Sequence, residues 1–144
     1  MTSGSELDRQ PLAAVLSVRP LTHLDRDMQV RIRAAVGLSG RGGPRLDPGP
    51  AREVWWRADA RPALAVLERA RMAGAWSLVT LAAPDAASLP AVLEAIAGHA
   101  DRVHRVLLAD LGFASGELAE QHRSALIAYG FTPFTARRLL RAPR

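Results

Sequence analysis

Residues 53–82 read EVWWRADARPALAVLERARMAGAWSLVTLA, and the fold turns on how this stretch is parsed. Glu53–Arg57 is short, aromatic and branched, which predicts a strand. Asp59 is a natural helix cap, Pro62 suits a first turn, and Leu64, Leu67 and Ala70 fall on one helical face, so Ala60–Ala73 is expected to be a helix. Gly74 would then sit just past its end. Trp76–Ala82 follows as a second apolar strand.

Outward from this unit the alternation continues. Helices are expected at Pro90–His99 and Gly116–Tyr129, and strands at Val103–Asp110 and Phe131–Leu140. Ser88 and Ser115 are candidate caps, and Gly130 a terminator. Strand, helix, strand in strict order predicts a parallel sheet covered by helices, joined by right-handed crossovers. Pro133 suits an antiparallel edge strand at the end. Trp55 and Trp56 are neighbours in a strand and point to opposite faces, as expected of a strand with core on both sides.

The N-terminal third is less regular. Residues 10–18 have helical spacing, and Pro11 places the start of that helix near residue 10. Thr22–Asp25 has the form of a capping box, and Leu24, Met28, Ile32, Ala35 and Val36 follow at helical intervals. A strand over 29–36, from the alternation of Val30 and Ile32 with Arg31 and Arg33, competes with that helix. Residues 37–52, GLSGRGGPRLDPGPAR, hold five glycines and three prolines and are expected to form a loop. The chain therefore reads as one domain over 1–144: a helical segment 1–36, a Gly/Pro-rich loop 37–52 and an alternating strand/helix core 53–140.

Composition narrows the chemistry. The 144 residues are 49% hydrophobic, enough for a single core. There is no cysteine, which excludes disulfides, thiolate metal sites and cysteine nucleophiles. All 19 basic residues are arginine, a pattern a GC-rich genome explains, and no lysine is present for Schiff-base or P-loop chemistry. The formal net charge of +5 biases the chain toward anionic partners. No apolar run spans a bilayer, and MTSGSELDRQ has no basic segment before an apolar one, so neither a membrane partner nor a signal peptide is expected. A cytoplasmic location is the corresponding expectation.

Candidate site residues fall into three sets. Asp59, Asp85 and Asp110 lie at or just past expected strand ends, where open sheets bind ligands. Each has a plainer reading as a cap or turn former. Gly37, Gly40 and Gly42 have offsets that suggest a nucleotide loop, with Asp59 at ribose-binding distance downstream. Pro44, Pro48 and Pro50 leave no room for the helix such a loop needs. Arg41, Arg45, Arg137, Arg138 and Arg141 are candidates for contact with a protein or nucleic-acid partner. His23, His99, His104 and His122 have no ligand spacing, and no serine has a G-x-S-x-G setting, so neither a metal site nor a hydrolase triad is expected.

The strand AWSLVTLA, the helix around LPAVLEAIAGHA, the strand DRVHRVLLADL and the helix leading into ALIAYGFTPF resemble, over residues 74–140, the C-terminal half of class I adenosylmethionine-dependent methyltransferases. The resemblance implies a three-layer, Rossmann-like α/β fold with a mostly parallel sheet. It also implies that Gly37, Gly40, Gly42 and Asp59 would be the positions facing adenosylmethionine, to which Asp85 is added as a cofactor-binding candidate by its place past a strand end. The sheet pattern is complete while the active-site pattern is not. The leading expectation is therefore a non-catalytic binding or accessory module without a cofactor. A methyltransferase-like enzyme using adenosylmethionine and an arginine-mediated nucleic-acid binder are the alternatives.

Overall fold

The computed structural model describes residues 18–38, 45–58, 60–111, 116–135 and 137–144. Seven strands form one sheet: β1 (Arg19–Pro20), β2 (Arg52–Arg57), β3 (Ala63–Arg69), β4 (Ala75–Ala82), β5 (Val106–Asp110), β6 (Thr132–Pro133) and β7 (Arg138–Arg141), in spatial order β1-β2-β3-β4-β5-β7-β6. Helices α1 (Arg26–Ala35), α2 (Leu89–Arg102) and α3 (Gly116–Ala128) complete the described elements, with a short 3-10 turn at Ala86–Ser88 leading into α2.

The expected Rossmann-like, mostly parallel sheet is overturned. β2, β3 and β4 form an antiparallel meander, and β4–β5 is the one parallel pairing among the described strands. β5–β7 and β6–β7 are antiparallel. The error lies at residues 60–73. Ala, Leu and Arg are good helix formers, and the spacing of Leu64 and Leu67 suits a helix. Yet Ala63, Leu64, Ala65, Val66 and Leu67 are each 0% exposed, and an apolar run without polar interruptions is what a central strand buried on both faces needs. The connections agree, since 58–62 and 70–74 are of hairpin length. Gly74 takes φ +77 in the second of these turns and does not cap a helix.

Two cores result. Ala63, Ala65 and Leu67 face α2 and α3 with Trp55, Leu78, Leu107 and Leu139, against Val92, Leu93, Ile96 and Leu126 of the helices. Leu64 and Val66 face α1 with Val54, Ile32 and Val36. Trp55 is buried in the first core and Trp56 packs half-buried against the second, as alternation requires. Leu46, inside the Gly/Pro-rich loop, is 0% exposed and belongs to the second core, so that loop is pinned through at least one side chain.

Of the two readings for residues 24–36, the structure has the helix. Asp25 caps it by accepting from Met28 N at 2.8 Å, and Gly37 follows its end at φ +79. The single strand expected over Phe131–Leu140 is instead a hairpin, β6 paired antiparallel with β7, and Pro133 lies in the outermost strand as an edge position suits. Gly130 ends α3 at φ +96, and a Cβ there would stand 2.8 Å from Arg144 Nη2 and 3.2 Å from Arg141 Nε. Gly130→Ala should therefore cost roughly 1–3 kcal/mol in urea unfolding, through backbone strain and displacement of both arginines.

A candidate ligand site at a split in the sheet

The antiparallel insertion of β3 does not disperse the aspartate edge. β2, β4 and β5 run in one direction, because β2 and β4 each oppose β3 and β5 is parallel to β4. The ends of β4 and β5 therefore share a sheet edge with that of β2. Asp59 lies outside the described residues. Asp85, an exposed residue, is a cap, its Oδ1 accepting from Ser88 N at 3.1 Å and Ser88 Oγ at 3.2 Å. Asp110, at the end of β5, stands 3.9 Å from Arg138 Nη2.

At this edge the sheet parts. Ala75–Leu78 pairs with Val106–Ala109, and the pairing stops there. In β4, Leu78 faces Leu67 and Thr80 faces Val66, which leaves Val79 as an extra, bulged residue. A bulge bends its strand and increases its twist. β4 then continues to Ala82 with β3 on one side, while no described strand pairs with its other side. A strand edge left open in this way presents unpaired N–H and C=O groups, two residues in every four pointing to each side. Such an opening, at the carboxyl ends of adjacent parallel strands, is where α/β sheets bind ligands. The bulge at Val79 carries no signal in the sequence, because Val-Thr-Leu-Ala reads as uninterrupted strand.

Helix α2 begins beside the split, but its N-terminus is poorly suited to a phosphate. Asp85 already holds the anion position at the preceding turn, and Pro90 contributes no N–H. This was legible in the sequence only as a capping signal.

The glycine set behaves differently from a nucleotide loop. Gly37 closes a helix and does not follow a strand, while Gly40, Arg41 and Gly42 lie outside the described residues. The candidate partner arginines separate. Arg45 stands 3.7 Å from Asp47, both exposed. Arg137 and Arg138 are exposed. Arg141 is 3% exposed and directed inward, donating from Nη1 and Nη2 to the two oxygens of Asp101 at 2.7 and 3.0 Å, and from Nε to Tyr129 O at 2.7 Å. The guanidinium holds the Asp101 carboxyl down at about 2, helped by the Arg144 N–H. That part of stability is complete above the ordinary Asp pKa of about 4 and is lost as pH falls toward 2.

A second internal cluster went unnoticed in the sequence. Glu53 accepts from Arg105 Nη1 and Nη2 at 2.7 and 3.0 Å and from Trp55 Nε1 at 3.2 Å. Arg105 in turn stacks over Trp76 at 4.2 Å, and His99 tilts against Trp55 at 5.4 Å. Burial raises the Glu53 pKa, but the Arg105 and Trp55 hydrogen bonds outweigh it, and the net shift is downward. Burial and the Arg105 charge lower His99. The cluster joins β2, β4 and α2 and is a structural ion pair, since Trp55 and Trp76 enclose it. Among the described residues no group of His, Cys, Asp or Glu could hold a metal ion. No helix among them is long and apolar enough to cross a membrane.

No family model, no curated protein and no solved structure matches the chain.

Proposed function

We propose that this chain is a binding module, without catalysis of its own, that takes a narrow, extended, amide-bearing ligand into the split between β4 and β5. One observation carries the reading: β4 loses its β5 partner after Leu78 and runs on through the buried Thr80, Leu81 and Ala82 with no described strand on that side. An open strand edge recognises ligands through main-chain hydrogen bonds, and so selects for amides in an extended chain.

The dimensions narrow the ligand class. Four residues give an edge of about 13 Å at roughly 3.3 Å per residue. The split is closed below by the paired segments 75–78 and 106–109, so a chain enters end-on and cannot pass through. A pantetheine-type arm meets these demands. It is thin and linear, carries two amides, and ends in a small sulfur group that can lead the way in. The filled, proline-interrupted start of α2 argues that a phosphate beyond the arm would gain little there.

The test is backbone hydrogen exchange together with thermal unfolding, using pantetheine, coenzyme A and adenosylmethionine. Pantetheine should raise the unfolding temperature and slow exchange of the amides in 79–82 that face the split. Coenzyme A should do so to a similar degree, and adenosylmethionine should do neither. Unchanged exchange at 79–82 with millimolar pantetheine overturns the reading. Protection by adenosylmethionine instead would restore the methyltransferase alternative. As for nucleic acid, Arg45, Arg52, Arg105, Arg138 and Arg141 each lie beside a carboxylate, a distribution that supports codon usage as the source of the arginines.

A further inference from the structure

The two faces of the sheet are covered unequally. α2 and α3 cover one face, and α1 lies over the β2–β3 half of the other. On that second face β4 meets the α1 core through Val79 and Ala82, and over β5 and β7 no described helix packs. The exposed strip there is a groove of about 750 Å³. Its floor is Ser77, Val79, Leu108 and Leu140, all half-buried. Met72 stands at one end, 50% exposed, and Phe134 at the other, 60% exposed. A concave apolar surface of this size is unusual unless something occupies it.

Its charges are asymmetric. Three arginines line it, Arg69, Arg71 and Arg138. The guanidinium of Arg69 is engaged with Trp76, 5.5 Å from the ring. Arg138 lies by Asp110, also on the groove. Arg71 is exposed, and no carboxylate pairs with it among the described residues. One end of the groove thus offers an uncompensated cation beside Met72, and the other an aromatic ring beside a neutralised pair.

From this we infer that the groove binds a small amphipathic carboxylate, its acid held at Arg71 and its apolar body running over Val79, Leu108 and Leu140 toward Phe134. Charge complementarity fixes the sign and the orientation. A bilayer surface cannot fill a concavity. A second copy of the chain, docked through the same patch by a two-fold axis, would set Arg71 against the Phe134 end of its partner, where Asp110 is already beside Arg138, and leave the Arg71 charge without a dedicated counter-ion. The inference does not rest on the reading of the split, with whose margin the groove shares Leu78, Val79 and Asp110 but not Arg71, Met72 or Phe134.

Decanoate and decan-1-ol, each displacing 1-anilinonaphthalene-8-sulfonate, separate the acid from the apolar body. Decanoate should displace the dye several-fold more effectively than the alcohol, with an advantage that shrinks at high salt. Arg71→Ala should remove that advantage, lowering decanoate affinity at least fivefold and leaving the alcohol unchanged. Phe134→Ser should weaken both. Both side chains are exposed, so neither substitution threatens folding, and thermal unfolding verifies this. Equal affinity for acid and alcohol, decanoate binding indifferent to Arg71→Ala, or no dye binding at all overturns the inference. Exchange of residues 79–82 with pantetheine in Arg71→Ala reads the split separately, so failure at one site is not mistaken for failure at the other.

Discussion

Arg105→Ala is expected to cost about 3–5 kcal/mol, a large part of the roughly 5–15 kcal/mol that holds a domain of this size together. The reason is what the substitution leaves behind. The Arg105 and Glu53 side chains are 11% and 20% exposed, and their bidentate pair satisfies both carboxylate oxygens. Without the guanidinium, Glu53 keeps one hydrogen bond, from Trp55, in a setting enclosed by indoles. Trp76 also loses the cation stacked on its ring. Urea unfolding at pH 7 measures the loss, and the double variant Glu53→Gln/Arg105→Met should recover part of it, because no charge is then stranded. A cost under 1 kcal/mol would mean the pair is solvated like a surface bridge.

The same cluster sets a pH dependence. Glu53 is lowered in the folded state, so its contribution is complete above its unfolded pKa of about 4.3 and is lost on acidification below it. His99 and His122 are also lowered, chiefly by burial, so protonation below about pH 6.5 opposes folding. The shifts act in one direction. Stability should fall monotonically from pH 7 to pH 4, and in His99→Gln the decline between pH 7 and 5 should be shallower.

Arg141→Met carries the second large effect, about 3 kcal/mol. The Arg141 side chain is 4% exposed and is the junction of the C-terminal strand with two helix ends, reaching Asp101 in the last turn of α2 and the Tyr129 carbonyl just past α3. Methionine keeps the stem but leaves the part-buried Tyr129 carbonyl without its side-chain donor and Asp101 with only the Arg144 N–H, and hydrogen bonds to charged groups are worth about 1.5–3 kcal/mol each. Asp101→Asn should cost less, since Tyr129 keeps its partner. The comparison also separates roles: Arg137→Ala, at an exposed position, should leave stability within about 0.5 kcal/mol of the parent.

Local chemistry was enough for several elements. The spacing of Met28, Ile32 and Val36 specifies α1, because a 3.6-residue period needs no partner to be recognised, although the cap is Asp25 itself and not Thr22, three residues later than a capping box over Thr22–Asp25 requires. The helix expected at Pro90–His99, which spans Leu89–Arg102, and the adjacent tryptophans facing opposite ways were legible for the same reason. The strand expected over Phe131–Leu140 is instead broken into the β6–β7 hairpin, with only the edge position of Pro133 as expected. The absence of cysteine and lysine closed off whole chemistries before any folding was considered. Residues 63–67 were not decidable locally. Ala-Leu-Ala-Val-Leu fits a helix by propensity and a doubly buried strand by continuity, and only the presence of β2 and β4 on either side, with cores above and below, makes the strand win. Changing that one element turned a parallel sheet into a meander. The split coincides with an event still further from sequence: one residue, Val79, in excess over its partners on β3, next to the point where the pairing of β4 with β5 ends. Arg141 and Arg105 look like any other arginines in the chain, and only the carboxylates brought to them from 40 and 52 residues away make them internal. Period and capping are properties of neighbouring residues. Register, strand parting and the pairing of distant charges belong to the assembled sheet.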